Sequence, residues 1–374
     1  MHGTALILLA AAVALAPYAT ARFGFRGFVT IYAVAALSWL PLRRLSLPPA
    51  HVFVIAIALR LPLLFAQPML SGDVYRYLSD GRVFASGGNP YAYTPTDPRI
   101  NHPEIRSIYP PHAQLLFGLV HELTAWRLLI VLFDVIAIGF LRRHALAYAT
   151  FPMLLFEGTW SGHIDAIAGV LLGIALIRGS GIAAAFASGM KIIPFAAVPV
   201  LFRRTANRTR FVLSFLAALA IPVLPFLGRP IMPGFHDYAT RWIFNSPLYD
   251  ILFAIIDRIP TKEIWTHHPL RFQLISDFVY RHLYTDFLTR AVMAAIAIGF
   301  ILCARRAPTA VAALLLCSPA IHPWYWLVLV PVSLLEESRW IWLALAAPMS
   351  YLLYDGVHPW IVYALCYGVA AAKK

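Results

Sequence analysis

WRLLIVLFDVIAIGFLRR, residues 126–143, is an almost unbroken apolar run that stops on two arginines. That is the pattern of a helix that crosses a bilayer and ends at a basic cytoplasmic edge. The run is not isolated. Comparable segments lie near 4–20, 27–41, 50–66, 144–158, 163–178, 209–227, 286–305, 308–320, 324–336, 340–354 and 357–372. Of the 374 residues, 60% are apolar and 13% charged, against roughly 25% charged in an ordinary soluble protein. Mean hydropathy is +0.72. One soluble core cannot hide so much apolar surface, because exposed area grows too fast with size. The composition excludes soluble enzymes, nucleic-acid binders and disordered hubs. The chain reads as an all-α polytopic membrane protein with a single integral-membrane domain over 1–374.

Orientation follows from the basic clusters, which favour the cytoplasmic side. These are Arg43–Arg44, Arg142–Arg143, Arg203–Arg204 with Arg208 and Arg210, Arg305–Arg306, and Lys373–Lys374. Two long polar stretches, 67–125 and 228–285, then face outward, and the apolar piece 107–120 lies along the membrane. Parity demands an even number of crossings between Arg143 and Arg203, yet 144–158, 163–178 and 181–202 make three. A break at Gly189-Met190-Lys191-Ile192-Ile193-Pro194 resolves this, since Gly weakens a helix and Pro removes a donor. A kinked span with one basic cluster outside is the alternative. The N-terminal run from Thr4 to Ala16 lacks the basic flank of a signal peptide and reads as the first membrane helix. Cys303, Cys317 and Cys366 form no CxxC pair and read as apolar filler. No repeat of 20 to 50 residues is visible. The net charge of +13 is mostly this arginine-rich rim, which sets orientation and meets anionic lipid headgroups.

The outer side holds most of the acids and histidines. Its densest cluster runs from Ser71 to Arg82, followed by Gly87-Gly88-Asn89-Pro90-Tyr91 and Ile108-Tyr109-Pro110-Pro111. Asp73, Arg76 and Asp80 fall at i, i+3 and i+7 and share one helix face. A carboxylate beside an arginine at a lipid–water boundary suits base chemistry next to an anionic headgroup; an N-cap with ordinary helical pairing is the plainer alternative. Lys191 is the one lysine of four within an apolar segment, where a charge is costly and marks function unless it snorkels to an interface. Arg60 faces the same choice. His322 opens an outer turn and can hydrogen-bond a phosphate or a sugar, while Trp324, Tyr325 and Trp326 suit an interfacial belt. His163 and Asp165 do not share a helix face but can meet a ligand from a helix N-terminus. His236-Asp237, Asn245 and Asp355 to His358 read as interface groups, and His267-His268 as a solvated loop pair. No HExxH, P-loop or GxGxxG is present, so the sequence supports no zinc protease, nucleotide or dinucleotide site.

The string DVYRYLSDGRVFASGGNPYAY, residues 73–93, resembles the first outer loop of the GT-C superfamily of membrane glycosyltransferases. It is similar in particular to bacterial polyprenyl-phosphate-sugar-dependent mannosyltransferases, glycosyltransferase family 87 and its relatives. Further matches follow in order at Trp160 to Asp165, Met190 to Pro194, Trp242 to Asn245 and His322 to Tyr325. The resemblance spans about residues 50 to 330 and leaves two helices ahead of it, in 1–49. It implies a bundle of about 12–14 transmembrane helices and an inverting transfer of a hexose, mannose by the resemblance. The donor would be a polyprenyl phosphate and the acceptor a lipid, glycan or protein, at the outer face of a bacterial cytoplasmic membrane. The leading acid of the loop, Asp73, is then the general base. Arg60, Arg76, Lys191 and His322 are the groups for the departing phosphate. Tyr75, Asp80, Arg82, Asn89, Tyr109, His163, Asp165, Trp242, Asn245, Trp324 and Tyr325 are the expected substrate contacts. No cofactor is expected, and no metal, since the first loop has no DxD pair. Partners are the lipid-linked donor, the acceptor and membrane lipids, with no nucleic acid. A secondary transporter shares broken helices and intramembrane charge; a ligase or phosphotransferase acting on lipid pyrophosphates is the rival among enzymes.

Overall fold

The computed structural model describes residues 2–258 and 277–371, so His267-His268 and Lys373-Lys374 lie outside the described residues. The first helices are α1 (His2–Leu42), α2 (Pro49–Phe65), α3 (Asp73–Ala85), α4 (Pro111–Leu119), α5 (Leu123–Leu141), α6 (Ala145–Ala149) and α7 (Asp165–Arg178). There follow α8 (Gly181–Met190), α9 (Val198–Arg204), α10 (Arg208–Ala220), α11 (Phe235–Arg241) and α12 (Pro247–Ile256). The last are α13 (Asp277–Cys303), α14 (Ala307–Leu316), α15 (Leu329–Leu335), α16 (Ile341–Ala346) and α17 (Pro359–Ala371). Among the described residues the only β pairing is an isolated parallel bridge between Phe244 and Ala320. The fold is all-α, as expected from the composition.

Four described helices are long and apolar enough to cross a bilayer: His2–Leu42, Leu123–Ala149, Arg208–Phe226 and Tyr284–Cys303. α1 is two helices joined across a kink at Gly24, which matches the predicted pair 4–20 and 27–41. Several other predicted spans are not continuous. The stretch 144–158 divides into α6 and a π-helical segment, Leu154–Trp160, that turns by 113° into α7. The stretches 324–336 and 340–354 each join a 3₁₀ piece to a short α-helix. Pro323 and Pro348 stand in those 3₁₀ pieces, where a missing amide hydrogen favours a break. The apolar segment 107–120 forms the nine-residue α4, far too short to span. Chain 181–202 breaks at Lys191, between α8 and a 3₁₀ turn over Ile193–Ala197.

One contiguous apolar core runs through the bundle, from Leu9 and Ala16 of α1 through Leu155 and Phe156 to Tyr351. Large apolar side chains also stand exposed along the long helices, among them Leu37, Leu132, Leu213 and Phe300. Such a girdle is unstable in water and natural in lipid. α3 and α4 are packed together, and α4 also meets α8. The first polar loop is therefore folded down onto the bundle, with Asp73 at its inner end.

Candidate active site

The site is built from three sequence-distant pieces. The first is α3. Its anchor is Asp80, fully buried, whose Oδ2 accepts from the Ser107 hydroxyl at 2.5 Å and Gln114 Nε2 at 3.0 Å, and whose Oδ1 accepts from the Tyr93 hydroxyl at 3.0 Å. These bonds tie α3 to the returning loop and to α4. Asp73 therefore projects from a fixed first turn. The Tyr109 hydroxyl donates to its Oδ2 at 3.2 Å, and Tyr109 is held in turn by the Tyr91 hydroxyl on its carbonyl at 2.8 Å. Burial is the largest influence on Asp73 and pushes its carboxyl above the ordinary range; the Lys191 charge and the Tyr109 bond pull it partly back.

The second piece is the turn between the π-helical segment and α7. Gly162 sits there at φ 78° with Val74 and Trp126 side chains against its Cα face. Its carbonyl accepts from Trp126 Nε1 at 2.7 Å. A residue with a Cβ would be strained in that backbone, so glycine lets the chain reverse and present His163 and Asp165 beneath Asp73. His163 Nδ1 lies 3.9 Å from Asp73 Oδ2, and its Nε2 lies 3.5 Å from Glu157 Oε2. Asp165, first residue of α7, meets Lys191 Nζ at 3.3 Å. Lys191 also lies over the rings of Tyr325 and Tyr109, at 4.9 and 5.3 Å. Its place at the helix break puts an ammonium in the cavity wall.

The third piece is the His322 turn. The Phe244 amide donates to the Pro319 carbonyl at 3.0 Å and the Ile321 amide to the Phe244 carbonyl at 2.8 Å. That clasp brings the Trp242 loop beside His322. A ladder of near-parallel rings results. His163 stacks on Trp324 at 4.3 Å, Trp324 on His322 at 4.6 Å, His322 on Phe244 at 4.7 Å and Phe244 on Tyr354 at 5.1 Å. The Tyr238 and Tyr325 hydroxyls are hydrogen-bonded to each other on the adjoining wall.

Together these enclose a cavity of about 820 Å³. Of the residues expected from sequence, Asp73, Tyr75, Arg76, Tyr109, Lys191, Trp242, His322, Trp324 and Tyr325 line it. Asp73 is the one carboxylate among the lining residues, facing Arg76, Arg99, Arg106 and Lys191. Arg76 donates from Nη2 to the His102 carbonyl at 3.0 Å and keeps Nη1 without a hydrogen bond. A smaller groove of about 180 Å³ shares Tyr109, Lys191, Tyr238 and Tyr325 with the cavity and continues along Ile192, Ile193, Phe235, Leu314 and Leu315.

The other expected residues sit elsewhere. Arg60 does not line the cavity: its Nε is 2.8 Å from Asp134 Oδ2 and its Nη1 donates to the Ala56 and Ala149 carbonyls, all buried. Asp80 is the anchor described above, on the interior side of the helix that shows Asp73 and Arg76 to the cavity. Arg82 is exposed on the far side of α3. Asn89 Oδ1 accepts from the Tyr91 amide at 3.1 Å and closes a turn. Asn245 is buried at φ 51°. Its carbonyl accepts from the Tyr367 hydroxyl at 2.6 Å. His163 and Asp165 form the layer beneath the cavity rather than its lining. Sequence reading passed over Glu157, Arg127 and Asp134. Each is an ionisable residue inside an apolar run, the signal that should have raised them. Among the described residues no three His, Cys, Asp or Glu side chains are grouped as metal ligands.

With this geometry in view, one comparison is informative. Residues 4–110 match the family model described as alpha-(1->6)-mannopyranosyltransferase, N-terminal domain. The match covers less than half the chain and supports a glycosyltransferase of mannosyltransferase type, with a sugar donor and an acceptor as its partners. It takes in both halves of α1, which the resemblance read from sequence had left outside, together with Asp73, Arg76 and Tyr109. No curated protein and no solved structure matches the chain.

Proposed function

We propose that this chain is an inverting membrane mannosyltransferase that takes its sugar from a polyprenyl-phosphate carrier at the outer face of a bacterial cytoplasmic membrane. One observation carries the reading: a single carboxylate, Asp73, shares a largely aromatic and apolar cavity with Arg76, Arg99, Arg106 and Lys191, and an apolar groove continues it. The cations suit a phosphate, the groove suits the first units of a hydrocarbon chain, and the carboxylate suits a base.

In the reaction the acceptor hydroxyl oxygen bonds to the anomeric carbon while the bond from that carbon to the phosphate oxygen breaks. The hydroxyl proton passes to Asp73, and the electron pair leaves on the phosphate. Positive charge on the ring is greatest in the transition state, and a carboxylate that takes the acceptor proton also favours that charge. Arg76 and Lys191 meet the charge that develops on the leaving group. Tyr109 donates to Oδ2 of the base and the Ser71 hydroxyl also bonds the carboxylate; in this scheme Oδ1 receives the proton. This scheme gives the charge on the phosphate to arginine and lysine and calls for no metal ion; loss of transfer in chelator, restored by a divalent cation, would overturn that part.

Replacing Asp73 by Asn removes the base and keeps the shape. Transfer by purified D73N from polyprenyl-phosphate mannose to a lipid extract is expected to fall by about 10²- to 10⁴-fold, with the protein still folded. Full activity of that variant overturns the mechanism, and failure of the wild type with every polyprenyl-phosphate sugar overturns the donor.

A further inference from the structure

Glu157 is fully buried and plays no part in the scheme above. It sits in the π-helical segment Leu154–Trp160, a distortion that recurs at functional sites. Among the described residues it has no lysine or arginine partner; its one ion-pair neighbour is His163, at 3.5 Å, and the Tyr351 and Ser161 hydroxyls face the same carboxyl. A carboxyl buried this way is far more stable uncharged. His163 is equally buried, and its ring is fixed by the stack on Trp324. The ring holds one nitrogen toward Glu157 and the other toward Asp73 Oδ2, at 3.9 Å. Both spacings exceed a hydrogen bond, and contacts of this kind tighten when a reacting group enters.

We infer that Glu157 is a positioning residue for the base: it donates to His163 Nε2, which places the ring proton on Nδ1, and that N–H points at Asp73 Oδ2. The inference rests on the assignment of Asp73 as base. With Tyr109 and His163 both donating to Oδ2, Oδ1 receives the proton in this scheme. No proton moves net through His163 in this arrangement; it acts as a neutral donor of fixed tautomer. The remaining charged or titratable groups around the ring are Asp165 of α7, Lys191 at the helix break and His322 across Trp324. A charged ring here would be buried and close to the Lys191 ammonium, so the neutral form is the stable one.

The test uses full-length protein, with mannosyl transfer read as kcat, KM and pH profile. E157A is expected to lower kcat by tenfold or more, leave the donor KM within twofold, and move the acid limb to higher pH, because Asp73 loses a donor to its charged form. E157Q keeps an N–H donor and is expected to recover most of the loss. H163F keeps the stack on Trp324, removes both nitrogens and should match E157A, with the double variant no worse than either. Wild-type kcat and pH profile in E157A would overturn the inference, as would an E157Q as impaired as E157A, since Glu157 would then act as an ion. If E157A does not fold, the E157Q and H163F pair decides by the same criteria. Activity in D73N would overturn the base itself, whereas a dead D73N with a normal E157A removes only the role of Glu157.

Discussion

In the proposed transfer Asp73 is the base, and the Tyr109 and Ser71 hydroxyls both support its carboxylate. Tyr109 occupies Oδ2, the first turn of α3 fixes the side chain, and Arg76 and Lys191 stand near without forming a salt bridge to it among the described contacts. Burial is the dominant influence on its carboxyl and raises it above the ordinary range of about 4. A base must be ionised, so activity falls as pH drops through that raised value. The acid limb of kcat/KM for the proposed transfer is therefore expected above the range of a solvated aspartate. Removing Tyr109's hydroxyl in Y109F takes away a bond to the charged form and should move the limb higher still. A limb unchanged in Y109F would show that the hydroxyl does not support the carboxylate.

Helix α3 is aimed by its far end. Asp80 accepts hydrogen bonds only, from Ser107, Gln114 and Tyr93, and a carboxylate is the side chain that takes all three. In D80N one oxygen becomes an NH₂ facing donors, so buried groups are left unmatched. The expected cost is about 1–3 kcal/mol, seen as a lower Tm of the detergent-solubilised protein. Activity should fall with it, because α3 and α4 no longer hold Asp73 against the cavity. The shared face of Asp73, Arg76 and Asp80 was legible from spacing. The division of that face between cavity and interior was not, because it depends on where α4 packs.

Deep in the bundle, Arg60 and Asp134 join α2 to α5, and the Tyr148 hydroxyl of α6 donates to Asp134 at 2.7 Å. Arg127 similarly donates to the Leu64 and Ala66 carbonyls at the end of α2. Charges so placed stabilise the bundle only as partners. D134L alone strands a buried guanidinium and should destabilise by about 3–5 kcal/mol, while the pair R60M/D134L should recover much of that. Urea or thermal unfolding of the three proteins in detergent checks it; equal losses in single and double variants would mean the pair is not coupled. Arg60 thus illustrates a limit of reading intramembrane charge as function: the rule finds the residue, and the partner decides its work.

The sequence by itself determined the membrane setting, the all-α class, the break at Lys191 and the prominence of Asp73. The first three follow from hydropathy, proline and glycine, which act along a few residues of chain; Asp73 stood out through the resemblance of its loop, its spacing alone leaving an ordinary N-cap open. Only the tertiary structure decided that His163, His322, Trp324 and Phe244 share one ladder of rings, that Lys191 meets Asp165, and that Glu157 stands behind His163. These contacts join distant parts of the chain through the packing of several elements at once, and no local pattern records them. The site arises where a bent span, a broken span and a folded-down loop meet, so its chemistry is a property of the packed bundle.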